Sequence, residues 1–390
     1  MTTPTVVVAL SGGVDSSTVA ALLVERGYTV IGMMMRLWAE SSDDDHVLKL
    51  DASEKFVSNR CCAPEAVADA RGVAHQLGIP FYLLNYEADF KTRVVDYFLA
   101  EYARGATPNP CLECNRQIKF GALLAKARAF GADFLATGHY ARTRECAGKI
   151  ELLRGLDPKK DQSYALSLLT QEQLAHVMFP LGEYTKTETR ALARRFGLRV
   201  AEKHESQDLC FVADGDYRHF LRRHAPHTLT PGDIVDTRGN VLGRHTGIAQ
   251  YTIGQRKGLG LAVGEPLYVI ALDPARNRVI VGRAAELGAR ELIAGALNWI
   301  AGEAPRGDIH ITAKIRYTAR QVAATVSPLP PESETGARAR VVFAEPVRDV
   351  TPGQAVVFYA DEVCLGGGII QGASAPEPGS TIPASARPDN

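Results

Sequence analysis

The chain has no surplus of charge. Its 390 residues hold 44 Lys and Arg against 44 Asp and Glu, so bulk attraction to nucleic acid or to an anionic surface is excluded. Only local clusters could hold a polyanion. Two stand out at helical spacing: Arg190, Arg194 and Arg195, then Arg218, Arg222 and Arg223. No apolar run approaches the roughly 20 residues that a membrane-spanning helix needs, so no membrane partner is expected. Met1 to Thr5 lacks the charged, apolar and small-residue order of an export signal, and a reducing cytoplasm is the expected compartment. There the seven cysteines are expected to be catalytic, metal-binding or buried rather than paired in stable disulfides.

Two common nucleotide signatures are also missing. The Gly-rich stretch Ser11-Gly12-Gly13-Val14-Asp15-Ser16-Ser17 has neither the Gly-Lys-Ser/Thr ending of a Walker A loop nor the third glycine of a dinucleotide fingerprint. What is present is the apolar run Val6 to Leu10, this loop, and apolar residues at helical spacing through Arg26. That order predicts strand, loop, helix. Successive loop amides and the positive end of the helix at Ser16-Ser17-Thr18 would form an anion cradle suited to phosphate. The string SGGxDS resembles the pyrophosphate-binding loop of the N-type ATP pyrophosphatases, which split ATP between its α- and β-phosphates and attach AMP to a substrate oxygen. By that resemblance, Asp15 would lie near Mg2+.

A hydrophobic share of 46% with 23% charged residues is ordinary for a globular protein, and 390 residues exceed what one core usually organises. From Thr5 to about Phe211 short apolar runs (Val6 to Leu10, Thr29 to Met34, Phe81 to Asn85, Phe134 to Thr137) alternate with amphipathic helical stretches, predicting an α/β domain over 1–213 with a parallel sheet. Residues 39–59, with Asp43-Asp44-Asp45, lack periodicity and read as a lid or exposed loop. After one helical stretch, Tyr217 to His224, turn-rich alternating segments (Ile234 to Asp236, Tyr268 to Leu272, Arg278 to Val281) predict a small central α+β domain over 214–285. Strands at Ile309 to Tyr317, Ala337 to Phe343 and Ala355 to Ala360 predict a C-terminal β-barrel over 286–372. Residues 373–390, rich in Pro, Ser and Ala, are expected to form a disordered tail. There is no internal repeat.

Cys111 and Cys114 form a CxxC that follows the turn-rich Ala106 to Pro110 and precedes a helical run from Asn115 to Phe130. A helix N-terminus favours the thiolate, the only form competent as nucleophile or metal ligand, although Glu113 opposes this. Cys210 lies far off in sequence, within Ser206-Gln207-Asp208-Leu209-Cys210-Phe211. Cys146, Cys364 and the pair Cys61-Cys62 have no comparable context and read as structural, with a role for Cys61-Cys62 beneath the lid left open.

Eight segments in this order, SGGVDSS, TPNPCLECNRQIKF, ATGHYAR, KKDQSYALSLL, SQDLCF, YTIGQRKGLGL, KIRYTAR and TPGQAVVFY, resemble the bacterial tRNA-specific 2-thiouridylases over roughly Val6 to Gly372. The resemblance implies an adenine nucleotide α-hydrolase-like (Rossmann-like) catalytic domain, a small central domain and a C-terminal β-barrel. It implies a transferase that replaces the 2-carbonyl oxygen of the wobble uridine with sulfur in the tRNAs for Lys, Glu and Gln, consuming ATP and releasing AMP and diphosphate. A cysteine desulfurase or persulfide relay protein would supply the sulfur. Ala9, Leu10, Ser11, Gly12, Gly13, Val14, Asp15 and Ser16 would bind ATP phosphates, with Met35 and Gly138 on the adenosine part. Cys210 would carry the persulfide, and Cys114 would attack it, forming a transient disulfide. Asn109, Pro110 and Cys111 would face the target base, and His139, Lys160, Asp161, Gln162, Arg316, Tyr317 and Gln354 would touch tRNA. Taken singly, His139 also reads as a strand-end structural histidine, Met35 as core and Gln354 as a turn residue.

The chemistry agrees with that implication. A carbonyl oxygen is a poor leaving group, adenylation converts it into part of a good one, and sulfur can then attack. One departure from the family pattern is Cys111, where its best-known branch has aspartate. Cys111, Cys114 and Cys210 could therefore hold a [4Fe–4S] cluster with one open iron position, Cys114 and Cys210 could run a persulfide relay, or Cys111 could be purely redox-active or incidental; these readings stay open. Two other classes compete. A ligase that adenylates a small molecule shares the loop but has no need of the cysteines. A non-catalytic RNA-binding protein would not need Asp15 in a phosphate loop.

Overall fold

The computed structural model describes residues 3–38, 63–204, 209–212, 215–332 and 336–374. The expected lid, Cys61-Cys62, Ser206 to Asp208 and the tail beyond Ser374 lie outside the described residues. The chain divides into two compact units: one of residues 1–97, 110–217 and 362–364, the other of 98–109, 218–361 and 365–390.

The first unit holds the expected parallel sheet. Its strands are β1 (Thr5–Ala9), β2 (Thr29–Arg36), β3 (Phe81–Asn85), β4 (Phe134–Ala136) and, after a hairpin, β7 (Val177–Met178), in the order β3-β2-β1-β4-β7. Val6, Val7 and Val8 are fully buried, so the central strand reads as an unbroken apolar run rather than an alternating one. The chain leaves β1 for β2 on one side, while β4 lies on the other. This is the topological switch point, and the crevice beyond the carboxyl ends of β1 and β4 is where such sheets receive ligands. Helix α1 (Val14–Glu25) follows β1, α2 (Pro64–Leu77) precedes β3, and α3 (Lys186–Arg195) follows β7.

The hairpin, β5 (Ala141–Cys146) and β6 (Lys149–Arg154), was not foreseen in the sequence. It turns at Ala147 and Gly148, both at positive φ, as a two-residue hairpin turn requires. Residues Glu362–Cys364 extend it, with Val363 opposite Leu153 and Cys364 opposite Leu152. Cys364 is fully buried, whereas Cys146 is exposed.

In the second unit, helix α4 (Tyr217–His224) leads into a small sheet of β8 (Gly232–Asp236), β9 (Val241–His245), β10 (Tyr268–Asp273) and β11 (Arg278–Gly282). Its order is β10-β11-β8-β9, over a core that includes Ile234, Val269, Val279 and Val281. Six strands then close a barrel: β12 (Ala289–Trp299), β13 (Ile309–Lys314), β14 (Val322–Glu332), β15 (Gly336–Val347), β16 (Ala355–Ala360) and β17 (Val363–Ser374). The order β12-β15-β14-β13-β16-β17 returns to β12 through a further pairing with β17, so no edge is left open. The last strand thus runs two residues into the stretch expected as tail.

Candidate active site

The loop between β1 and α1 has the strand–loop–helix form that its sequence predicts. Gly12 has φ +69°, and a Cβ there would lie 2.3 Å from the Ala66 carbonyl oxygen, so only glycine fits. Ser11 N donates to Ser16 Oγ at 3.1 Å, and Ser17 Oγ donates to the Gly13 carbonyl at 2.8 Å. The serines fix the loop from within while α1 aims its free amides outward. Gly138, just beyond β4, comes so near that a Cβ would sit 3.0 Å from both Asp15 Cβ and Ser16 N. Strand order therefore brings two residues of the expected nucleotide set together. Met35, the third element, lies half-buried near the carboxyl end of β2.

Asp15 is not left to solvent. Lys186 Nζ donates to its Oδ1 at 2.7 Å and its Oδ2 at 2.9 Å, and the Tyr140 hydroxyl donates to Oδ1 at 2.8 Å. The side chains of Lys186 and Asp15 are 12% and 28% exposed. Neither Lys186 nor Tyr140 was singled out in the sequence, yet a signal existed. Lys186 is the first residue of α3, just after the Thr185 N-cap and its capping box with Glu188. A cation there opposes the helix dipole and needs an anion from elsewhere. A second lysine, Lys203, donates to the Gly12 carbonyl at 3.0 Å and to Asp69 at 2.6 Å. The loop is thus bracketed by two ammonium groups, each paired with a carboxylate, which hold it in place.

The CxxC begins a helical run as expected: Pro110–Glu113 is α-helical, Cys114–Leu123 is π-helical and Leu124–Ala129 returns to α. Such wide turns are rare and occur often at functional sites. Cys111 is exposed, Cys114 is buried and Cys210 is half-buried. Glu113 does not act on the thiols as a bare charge, since Arg116 meets its carboxylate at 2.9 and 3.0 Å. Beside Cys210, Phe211 is buried against Phe90 with ring centroids 5.8 Å apart. Among the described residues no three His, Cys, Asp or Glu side chains are gathered to hold a metal, so the three cysteines are not assembled here as cluster ligands.

Several residues expected to touch tRNA have their polar groups engaged within the protein. His139 is buried between Phe120 and Phe179, with Nδ1 2.7 Å from Thr137 Oγ1. Burial, and secondarily the charge of Lys119, holds it well below the usual histidine pKa, so it is neutral. Asp161 accepts from the amides of Gly155 and Ser163, each at 3.0 Å. Gln162 Oε1 accepts from Tyr140 N at 3.0 Å. Arg316 Nη2 donates to the Thr351 hydroxyl at 2.8 Å and to the Asp349 carbonyl at 2.6 Å. Gln354 Nε2 donates to the Thr107 carbonyl at 2.9 Å, holding the segment that leads to Asn109. Asn109 and Lys160 are half-buried, Pro110 is buried and Tyr317 is exposed.

Family models match almost the whole chain. One described as a tRNA methyl transferase HUP domain covers residues 4–214, one described as a tRNA methyl transferase PRC-barrel domain covers 218–283, and one described as an aminomethyltransferase beta-barrel domain covers 289–370. A protein of Moorella thermoacetica named tRNA-specific 2-thiouridylase MnmA is 54% identical over 367 residues, spanning 93% of this chain and 98% of that one. A protein of the same name from Magnetococcus marinus is also 54% identical over 367 residues, spanning 94% and 98%. A solved 4-thiouridine synthetase–RNA complex with bound ATP is similar at 16% identity and a TM-score of 0.34, covering 57% of this chain and 50% of that one, too slight a likeness to carry an argument.

Proposed function

The chain belongs to the tRNA-specific 2-thiouridylase family, and from that premise we propose that it adenylates the 2-carbonyl oxygen of the wobble uridine in the tRNAs for Lys, Glu and Gln and then replaces that oxygen with sulfur. It is a tRNA-uridine 2-sulfurtransferase that uses ATP. The observation that carries the mechanism is the Ser11–Ser16 loop bracketed by Lys186 and Lys203 at the carboxyl end of β1. A cytoplasmic location suits that substrate.

In the first step the uridine oxygen attacks the α-phosphorus and diphosphate leaves. Loop amides and the α1 N-terminus hold the phosphates and offset part of their charge, while Lys186 and Lys203, paired with Asp15 and Asp69, brace the loop. Magnesium arriving with ATP would offset more of that charge. Asp15 Oδ2, with one donor from Lys186, retains a lone pair for that ion, whereas Oδ1 already takes two donors.

In the second step the terminal sulfur of a Cys210 persulfide attacks C2. The Cys114 thiolate then attacks the Cys210 sulfur, the S–S bond breaks toward the substrate, and C2 expels AMP as it becomes a thiocarbonyl. A Cys114–Cys210 disulfide remains, and a thiol reductant must return two electrons to it. A sulfur-relay protein or cysteine desulfurase would reload Cys210. The gathering of Cys111, Cys114 and Cys210 that a [4Fe–4S] cluster would need is not present among the described residues. Asn109 and Cys111 would face the base. Lys160 and Tyr317 would meet tRNA directly, while His139, Asp161 and Gln162 brace the first unit from within and Arg316 and Gln354 the second.

The test is anaerobic incubation with ATP, magnesium, unmodified tRNA for Lys or Glu and a persulfide donor, followed by nuclease digestion and mass spectrometry. The expected product is 2-thiouridine, formed only with ATP. AMP release without 2-thiouridine would point to another adenylated acceptor.

A further inference from the structure

The neutral total conceals an uneven distribution. Residues 218–283 hold ten Lys and Arg against four Asp and Glu, a net +6 that the rest of the chain cancels. All four carboxylates are already engaged. Asp233 lies 3.9 Å from Arg244, Asp273 3.1 Å from Arg276 and Glu265 2.9 Å from Arg283. Asp236 accepts from the amides of Arg238 and Asn240 at 2.9 and 2.8 Å. By contrast, the side chains of Arg222, Arg256 and Lys257 make no hydrogen bond or ion pair among the described residues.

Two of these cations share a cleft of about 580 Å³ with Arg218, Tyr251 and Gln255, and no carboxylate lines it. Its loop is held firmly. Gly254 N donates to the Val269 carbonyl at 2.8 Å and Val269 N returns to the Gln255 carbonyl at 2.9 Å. The Gln255 side chain bridges Thr252 N at 3.2 Å and the Lys257 carbonyl at 3.0 Å. Arg218 Nε donates to the Gln250 carbonyl at 2.9 Å, which fixes the third cation at the rim. Arg222 lies one turn along α4 from Arg218. Tyr251 is only 8% exposed, so it offers no face for base stacking. Cations carried on a held backbone loop, without a stacking surface, suit phosphate rather than bases.

We propose that this cleft binds the phosphodiester backbone of the RNA substrate, independently of sequence. The inference rests on the reading of the chain as a tRNA-modifying enzyme. Its test is full-length protein carrying Arg256→Ala and Lys257→Ala together, titrated with unmodified tRNA across 50–200 mM salt, with ATP affinity as the control for folding. The expected result is a roughly 10- to 100-fold weaker Kd near 100 mM salt and a log–log salt slope smaller by about 2, alike for several tRNAs. The paired exchange Arg256→Lys and Lys257→Arg should restore most of the affinity. An unchanged Kd and slope with wild-type protein that binds tRNA would overturn this inference alone. Wild-type protein that binds no tRNA would overturn the functional reading as well. Competition by free diphosphate as effective as that by RNA would show a small-anion site instead.

Discussion

Asp15 and Lys186 differ in how their own helices treat them, and that difference predicts unequal costs of removal. Asp15 lies in the first turn of α1, where a negative charge is favoured, and it also receives the Tyr140 hydroxyl. Lys186 opens α3, where a positive charge is disfavoured, and its Nζ meets both Asp15 oxygens at 2.7 and 2.9 Å. At 12% and 28% exposure the pair falls between a surface ion pair, worth about 0–1 kcal/mol, and a buried one, whose breaking costs about 3–5 kcal/mol. Asp15→Asn takes the carboxylate charge from a mostly buried ammonium at a helix N-terminus and should cost about 3 kcal/mol. Lys186→Met leaves Asp15 with a hydroxyl donor and a favourable helix end and should cost about 1–2 kcal/mol. The double variant should fall short of the sum by about 2 kcal/mol. A chain of two units need not unfold in one step, so local opening is the proper readout: native-state hydrogen exchange of peptides spanning α1 and α3. Additivity within about 0.5 kcal/mol, or a costlier Lys186→Met, would refute the assignment.

Cys114→Ser and Cys210→Ser should each abolish 2-thiouridine formation and leave tRNA affinity near wild type, checked by mass spectrometry and a binding titration; activity in either variant removes that cysteine from the reaction. His139 predicts a pH dependence. Its folded pKa lies well below 6.5, so once pH drops below about 6.5 the unfolded chain binds a proton that the native protein does not, and stability declines toward lower pH by up to about 1.4 kcal/mol per unit. His139→Gln should flatten that decline in denaturation series from pH 7 to 5, and an unaltered slope would mean that other groups set it.

The central strand was legible because burial on both faces writes itself as a continuous apolar run, so Val6 to Leu10 became Thr5–Ala9; the edge strand Phe81–Asn85 was legible from its apolar run although Tyr82 and Leu83 are exposed. Helix Tyr217–His224 matches its sequence reading. Barrel strand Val322–Glu332 escaped notice because Pro328, Pro330 and Pro331 argue against a strand, and Val363–Ser374 because Gly366, Gly367 and Gly368 interrupt its pattern. In the site, the phosphate loop is local and could be read directly. The partner of Asp15 is 171 residues away, and no periodicity connects the two. The π-helical turns after Cys114 were equally hidden, since apolar spacing at Ile118, Leu123 and Leu124 fits an ordinary helix as well.

The hold of Gln354 on Thr107 has a consequence for how the protein is made. Residues 98–109 belong to the second unit, and Thr107 meets its clamp across 247 residues of sequence. At a synthesis rate of about 5–20 residues per second, that segment waits roughly 12–50 s on the ribosome before its partner emerges. The N-terminal sheet can form early. The chain entering the CxxC helix cannot be secured until the barrel is nearly complete, so a fragment ending at Tyr217 would keep the phosphate loop but lack the anchor for Asn109.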